Sequence, residues 1–229
     1  MNKRKKLTYA LILCAVGIGV ASLQCGLVTR YYTLETDKLN VGQGVCLVML
    51  SDLHSGVYGE NQRQLINKII CEQPDCILLC GDIVDDKTPR DGAEQLLKQI
   101  TQIAPCYYVS GNHEFWSGQA EDIFDMIEQY GVHVLRNEQE TVTINGISFT
   151  LCGVDDPASA GSRLARSYGN AEAYQHTLTQ FQSLDTKQFC VLLAHRPEYI
   201  MEYAKYPFDL VLCGHAHGGQ WRIPYVLNG

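Results

Sequence analysis

The chain has 229 residues, 46% of them hydrophobic, which is enough for one domain with its own core and unlike a disordered or fibrous composition. Its formal charge is −7, and because Lys3, Arg4, Lys5 and Lys6 all sit in the N-terminal tail, the rest of the body is more acidic still. That balance argues against nucleic acid as a partner, since phosphate backbones need Lys/Arg-rich faces.

Behind the basic cluster, residues 7–29 are mostly apolar, broken only by Thr8, Ser22 and Gln24. A helix of that length would span a bilayer, and the basic flank would keep the N-terminus cytoplasmic. The expectation is a single-pass cell-membrane protein, with residues 1–30 as tail and anchor and everything after Arg30 extracytoplasmic. Residues 31–44 are expected as a linker and first strand, and 45–229 as one catalytic domain. A cleaved signal peptide is the rival reading, against which stand the long apolar run and the poor cleavage site at Ala21-Ser22-Leu23. Cys25 lacks the small neighbour that lipidation needs.

The spacing predicts a short strand over 31–38 and a fully apolar, buried strand over 45–50. A helix is expected over 61–72, capped by Asn61, then a strand at 76–80 and a helix at 91–103. Strand 106–109 and helix 120–130 complete a run of β-α-β units. Three more strands are predicted at 132–135, 140–144 and 147–153, the last two joined by an Asn145-Gly146 turn. A helix over 171–184, a strand over 189–194, a helical turn over 199–203 and a strand over 208–213 follow. The fold class is α/β with β-sandwich character. Of the ten cysteines, seven lie in or beside these apolar runs, and no C-x-x-C pair exists; they read as small core residues rather than a disulfide or zinc framework.

Metal-ligand residues gather at the strand ends. Asp52 and His54 follow the strand at 45–50, Asp82 the strand at 76–80, and Asn112 and His113 the strand at 106–109. His195 follows 189–194, and His215 and His217 follow 208–213. Sites in open α/β sheets form at the carboxyl ends of strands, so these side chains are expected to converge. Carboxylate, amide oxygen and imidazole together suit Mn, Fe or Zn. Two such ions about 3.5–4 Å apart clamp a phosphoryl group and activate a hydroxide, with a carboxylate such as Asp82 bridging them.

The set Asp52-x-His54, Gly81-Asp82-x-x-Asp85, Gly111-Asn112-His113-Glu114, His195 and Gly214-His215-x-His217 resembles the calcineurin-like metallophosphoesterase superfamily, over residues 45–219. The runs Gly153-Val154-Asp155-Asp156-Pro157 and His217-Gly218-Gly219-Gln220 look like its membrane-anchored branch, some members of which act on lipid-type pyrophosphates. The resemblance implies a four-layer αββα sandwich, here expected to lack its last strands because only ten residues follow Gly219. It implies two divalent ions, one held by Asp52, His54, His217 and bridging Asp82, the other by Asp82, Asn112, His195 and His215. It gives His113 the role of protonating the leaving oxygen or stabilising charge in the transition state.

Arg163, Arg166 and Arg196 are candidates for binding substrate phosphate. Asp85 and Glu114 either orient ligands or close solvated turns, and Trp116 and Tyr168 line a pocket or pack. The expected activity is hydrolysis of a phosphate ester or pyrophosphate, on a small-molecule or lipid-linked substrate at the membrane surface. The alternative is a metal-binding interaction module on the same fold without turnover.

Overall fold

A computed structural model describes residues 3–22, 26–39, 42, 44–159 and 171–218. Contacts divide the chain into a unit of Tyr32–His215 and a smaller one formed by the two terminal stretches.

In the smaller unit, helix α1 (Lys3–Ser22) takes the basic cluster into its own first turns. Beyond those four residues about sixteen remain, a helix of roughly 24 Å against about 30 Å of bilayer hydrocarbon. No helix among the described residues is long and apolar enough to cross a membrane. The expected single-pass anchor, and the cell-membrane placement drawn from it, are therefore corrected. Within the apolar run α1 is described over Lys3–Ser22, and residues 26–36 have no regular structure. The strand expected over 31–38 is likewise absent, and Tyr31 and Tyr32 stay exposed.

The larger unit holds two four-stranded sheets. The first runs β1 (Leu47–Leu50), β2 (Cys76–Cys80), β3 (Cys106–Val109) and β4 (His133–Val134), in that spatial order and wholly parallel. Parallel neighbours need crossovers, supplied by α2 (Arg63–Glu72), α3 (Asp91–Ile100), and the pair α4 (Asn112–Trp116) and α5 (Ala120–Gln129). In the second sheet β5 (Glu138–Ile144) and β6 (Ile147–Gly153) form an antiparallel hairpin, while β7 (Cys190–Ala194) and β8 (Leu210–Cys213) lie parallel to β6. Asn145 and Gly146 both have positive φ, as a two-residue hairpin turn with the twist of its strands requires. Helices α6 (Ala171–Leu178) and α7 (Ile200–Tyr203) accompany the second sheet.

Alternation along the strands builds the layers. Cys76, Leu78, Cys80, Tyr107 and Val109 of the first sheet cluster with Val142, Phe149, Leu151, Val191 and Leu193 of the second. The opposite face of the second sheet, through Cys152, Cys190, Leu192 and Ala194, packs on Tyr174, Leu178, Phe181 and Tyr203. Leu65, Ile66, Ile69, Leu96, Leu97, Ile123 and Ile127 bury the apolar sides of α2, α3 and α5. The expected sandwich of two sheets with flanking helices is present.

Local differences have physical causes. Asn61 does not cap α2; it takes φ 51° inside a tight turn, and Arg63 begins the helix. Gln62 is fully buried instead, accepting from the Tyr58 N–H at 2.9 Å and donating to Gly92 O at 2.8 Å. The helix expected over 171–184 tightens into a 3₁₀ segment from Thr179 onward. The five-residue α4, which begins on a candidate ligand, falls where only a loop is expected.

Candidate metal centre

Six parallel strands, three from each sheet, deliver their carboxyl ends to one region. The loops after β1 and β2 run together: Asp52 N–H donates to Gly81 O at 3.1 Å, His54 N–H to Asp82 O at 2.9 Å, and Ser55 N–H to Ile83 O at 3.0 Å. Asp52, His54, Ser55, Asp82 and His215 all take left-handed φ, between 49° and 66°. For non-glycine residues this conformation is strained by about 1–3 kcal/mol each, and such strain concentrates at functional sites. Gly81, at φ 84°, and Gly111 permit the closest backbone approach, because a Cβ on Gly111 would collide with the Asp82 carboxylate and N–H. Gly111→Ala is expected to destabilise the fold by about 1–3 kcal/mol and to displace Asp82. Urea unfolding and metal titration check both effects; an unchanged metal affinity would refute the displacement.

Asp82 is the hub. It is 1% exposed, and its Oδ2 lies 3.1 Å from His195 Nε2 and 3.7 Å from His54 Nε2, while Oδ1 accepts the His113 N–H at 2.8 Å. Burial alone would raise its pKa, but His195 and the His113 N–H outweigh burial and hold it at about 2. His195 is the mirror case. Burial would lower its pKa, and Asp82 instead holds it at about 9. Its Nδ1 sits 2.8 Å from Cys80 O, which fixes a ring proton there and leaves Nε2 facing Asp82. His54 is set in the same way, with Nδ1 3.1 Å from Asp85 Oδ1. The Asp52 carboxylate accepts the His215 N–H at 3.0 Å, tying the β1 and β8 loops.

Three buried side-chain atoms here have no hydrogen-bond partner: Asn112 Oδ1, His195 Nε2 and His215 Nδ1. A buried polar atom without a partner costs about 1–3 kcal/mol, so native structures rarely keep one unexplained. Asp82, His195 and His215 each offer a ligand atom within 4.8 Å of the others. His195 Nε2 and Asp82 Oδ2 are close yet lack hydrogen-bond geometry, as expected of two atoms arranged around an ion rather than a proton. The donor set therefore fits a divalent cation held by oxygen and imidazole ligands.

The chain matches the calcineurin-like phosphoesterase family over residues 47–219. It belongs to that family. An uncharacterized metallophosphoesterase of Aquifex aeolicus is 35% identical over 191 residues, covering 82% of this chain and 69% of that one. An uncharacterized metallophosphoesterase of Campylobacter jejuni is 27% identical over 218 residues, covering 92% and 54%. A zebrafish protein described as a transmembrane protein with a metallophosphoesterase domain is 30% identical over 187 residues, covering 77% and 41%. The chain thus spans only about half the length of several metallophosphoesterase relatives. Among solved structures, TT1561 of Thermus thermophilus superposes with a TM-score of 0.56 over 78% of this chain and 88% of that one, at 14% identity, a likeness of fold alone.

Within this metallophosphoesterase framework the Tyr32–His215 unit brings together Asp52, His54, Asp82, Asn112, His113, His195 and His215. His217 lies outside that unit and takes φ 48°. Arg163, Arg166 and Tyr168 lie outside the described residues. Arg196 is described, and it is 6% exposed. Its guanidinium donates to Asp156 at 2.7 and 3.4 Å, to Glu198 at 3.3 Å, and to His215 Nε2 at 3.1 Å. Burial and the Arg196 charge lower the His215 pKa, which favours the neutral ring a metal ligand needs.

Glu114 is fully buried and accepts N–H groups of Gly111 (2.9 Å), Val84 (3.0 Å) and Asp82 (3.1 Å). It locks the β2 loop onto the β3 loop; burial, reinforced by the Asp82 charge, pushes its pKa up to about 7. Asp85 holds His54 through Oδ1, while Oδ2 accepts the Thr88 and Lys87 N–H groups at 2.8 and 3.1 Å. Both orient the site: Glu114 does so fully buried, not in a solvated turn, whereas Asp85 also closes its own turn. Sequence reasoning did not single out Asp86 or Ser110, and it named Asp156 only within the run Gly153–Pro157, without a role. Their partners are brought in by tertiary contacts, which local sequence does not show.

Proposed function

We propose that the protein is a metal-dependent phosphoester hydrolase that uses two divalent ions, and that its substrate carries a phosphate ester or pyrophosphate bond. The observation that carries this reading is the set of orphaned buried atoms on Asn112, His195 and His215 around the Asp82 carboxylate. Asp82, Asn112, His195 and His215 would hold one ion, and Asp52, His54 and the shared Asp82 the other. Bound there, divalent cations would supply Lewis-acid polarisation of the phosphoryl group and neutralise its charge.

The chain's own residues do the rest. Asp82 presents its charge between two imidazoles whose proton-bearing nitrogens are engaged elsewhere, by Asp85 and by Cys80 O. Glu114 keeps the Asp82 loop from relaxing away, and Arg196 favours a neutral His215. His113 holds a proton for the leaving oxygen at Nε2, its Nδ1 being occupied by carboxylates. Monoester, diester and pyrophosphate, soluble or lipid-linked, share this chemistry, and the selecting contacts lie in the loops around it.

The test is turnover of an aryl phosphate and a bis-aryl phosphodiester by metal-loaded protein, with chelated protein as control. Metal-dependent hydrolysis of at least one is expected, reduced about 10²-fold in kcat by His113→Ala. Stoichiometric metal binding without turnover of either, with His113→Ala indistinguishable, would favour the interaction module.

A further inference from the structure

Resting on the reading that the leaving oxygen departs past His113, we propose that Trp116 is a specificity-determining residue. Its indole stacks on a planar aromatic ring carried by the leaving group, and so selects aromatic phosphate esters over aliphatic ones of the same size. The observation beneath this is an accessible indole packed on the His113 imidazole, with ring centroids 4.8 Å apart and planes tilted by 48°.

Helix α4 places the pair. His113 and Trp116 stand three residues apart, on one face of the helix. Because α4 begins on the candidate ligand Asn112, Trp116 lies roughly 6 Å farther along its axis, at about 1.5 Å per residue. A leaving group that departs past His113 therefore meets the indole next. The two residues between them face elsewhere: Glu114 is fully buried beneath the β2 loop, and Phe115 turns onto Phe124 of α5, with ring centroids 5.8 Å apart. Trp116 instead keeps 37% of its surface exposed. A lone exposed aromatic ring needs no explanation on a protein surface, but this one is in ring contact with the proposed acid, whose own side chain is 22% exposed. A molecule that reaches one ring thus meets the other. The carboxylates beside His113 are already engaged, since its Nδ1 lies 3.2 Å from Asp85 and 2.8 Å from Asp86, and Lys87 Nζ stands 3.8 Å from Asp86. What the indole offers is polarisable surface rather than one wall of a cation cage, and an aromatic ring gains more from such surface than an aliphatic ring of equal area.

Binding of phosphonates, which lack the scissile bond, tests this without turnover. The chain has two tryptophans, so Trp221→Phe leaves Trp116 as the reporter. In zinc-loaded Trp221→Phe protein, benzylphosphonate is expected to change the indole fluorescence and to bind about 5-fold more tightly than cyclohexylmethylphosphonate. Trp116→Ala, read by calorimetry, should erase that preference and leave methylphosphonate binding within about 2-fold, and Trp116→Phe should restore most of it. A preference that survives Trp116→Ala overturns the proposal. So does an equal loss for all three phosphonates, which marks the indole as a prop for His113. Tighter binding of 2-(trimethylammonio)ethylphosphonate than of benzylphosphonate overturns it in favour of a cationic leaving group. Steady-state rates give a second readout on benzyl phosphate and cyclohexylmethyl phosphate, whose alcohols are of similar acidity. Trp116→Ala should lower kcat/KM about 5-fold for the first and less than about 2-fold for the second, and an unchanged ratio overturns the proposal. Phosphonates bound with the aromatic preference, but no ester hydrolysed, would end the hydrolase reading and leave the Trp116 assignment standing. No phosphonate bound at all would end both.

Discussion

Asp82→Asn is expected to lower turnover on the order of 10³-fold or more and to abolish tight binding of both ions. This exceeds the roughly 10–100-fold that loss of an outer partner costs. The substitution keeps the side chain's shape and an oxygen to accept the His113 N–H, so what it removes is charge. Isothermal titration with Mn or Zn beside steady-state kinetics reads both effects; a variant that still binds two equivalents tightly would show that Asp82 does not bridge. The same variant has a signature without metal. His195 has its pKa held at about 9 by Asp82, above its unfolded value near 6.5. Its contribution is then fully present below about pH 6.5 and is lost as pH rises through about 9, on the order of 3 kcal/mol. Glu114 runs the same way at lower pH: a carboxyl pushed up to about 7 withdraws stability as pH rises from about 4.5. Metal-free wild-type protein should therefore weaken steadily toward alkaline pH. Asp82→Asn should lack the upper part of that slope, because the neutral amide gives His195 no charge to pair with. A slope above pH 6.5 surviving unchanged would remove Asp82 as its origin.

What the sequence made legible were groups whose chemistry travels with a strand end. Asp52, His54, Asp82, Asn112, His195 and His215 each follow an apolar run, fully buried in β2, β3 and β7 and partly buried in the edge strands β1 and β8. Their convergence follows from parallel pairing, so periodicity was enough. The partners of these residues were not legible. The acceptor for His195 is a backbone carbonyl of Cys80, 115 residues away, and any residue at that position would supply one. Asp86 stands beside Asp85 with nothing in the local pattern to divide their roles. Helix α4 escaped because five residues are too few to show a period. The misread N-terminus has a different cause: hydropathy integrates over residues 7–29, whereas a membrane span needs a long apolar helix, and the described residues 26–36 are not helical. The strand expected over 31–38 failed for a related reason, since alternation describes a sheet face only when a neighbouring strand is there to pair.

Asp156→Ala is expected to cost about 3–5 kcal/mol of folding stability, more than any surface charge in the protein. Asp156 and Arg196 are 1% and 6% exposed, and the guanidinium meets the carboxylate at 2.7 and 3.4 Å. Removing the aspartate leaves a buried cation with Glu198, whose side chain is half-exposed, as its remaining carboxylate. The neighbouring Asp155–Arg136 pair is a useful contrast: it is 3.2 Å long, and Arg136 is 37% exposed and also reaches Glu121 in solvent, so its loss should matter far less. Ser110 joins the two pairs, its hydroxyl donating to Asp155 at 2.7 Å and accepting the Asp156 N–H at 3.0 Å, which links the β3 end in one sheet to the β6 end in the other. The backbone half of that link survives in Asp156→Ala, so the measured loss reports the charge together with the acceptor of the Ala158 N–H at 2.8 Å. Urea unfolding of metal-free protein should show a lower midpoint with unchanged slope. The double variant Asp156→Leu with Arg196→Met should recover most of the stability, because a well-packed apolar pair avoids desolvating two ions. A single variant that loses less than about 1 kcal/mol would mean that water reaches Arg196 and that the pair does not brace the loops carrying His195 and His215.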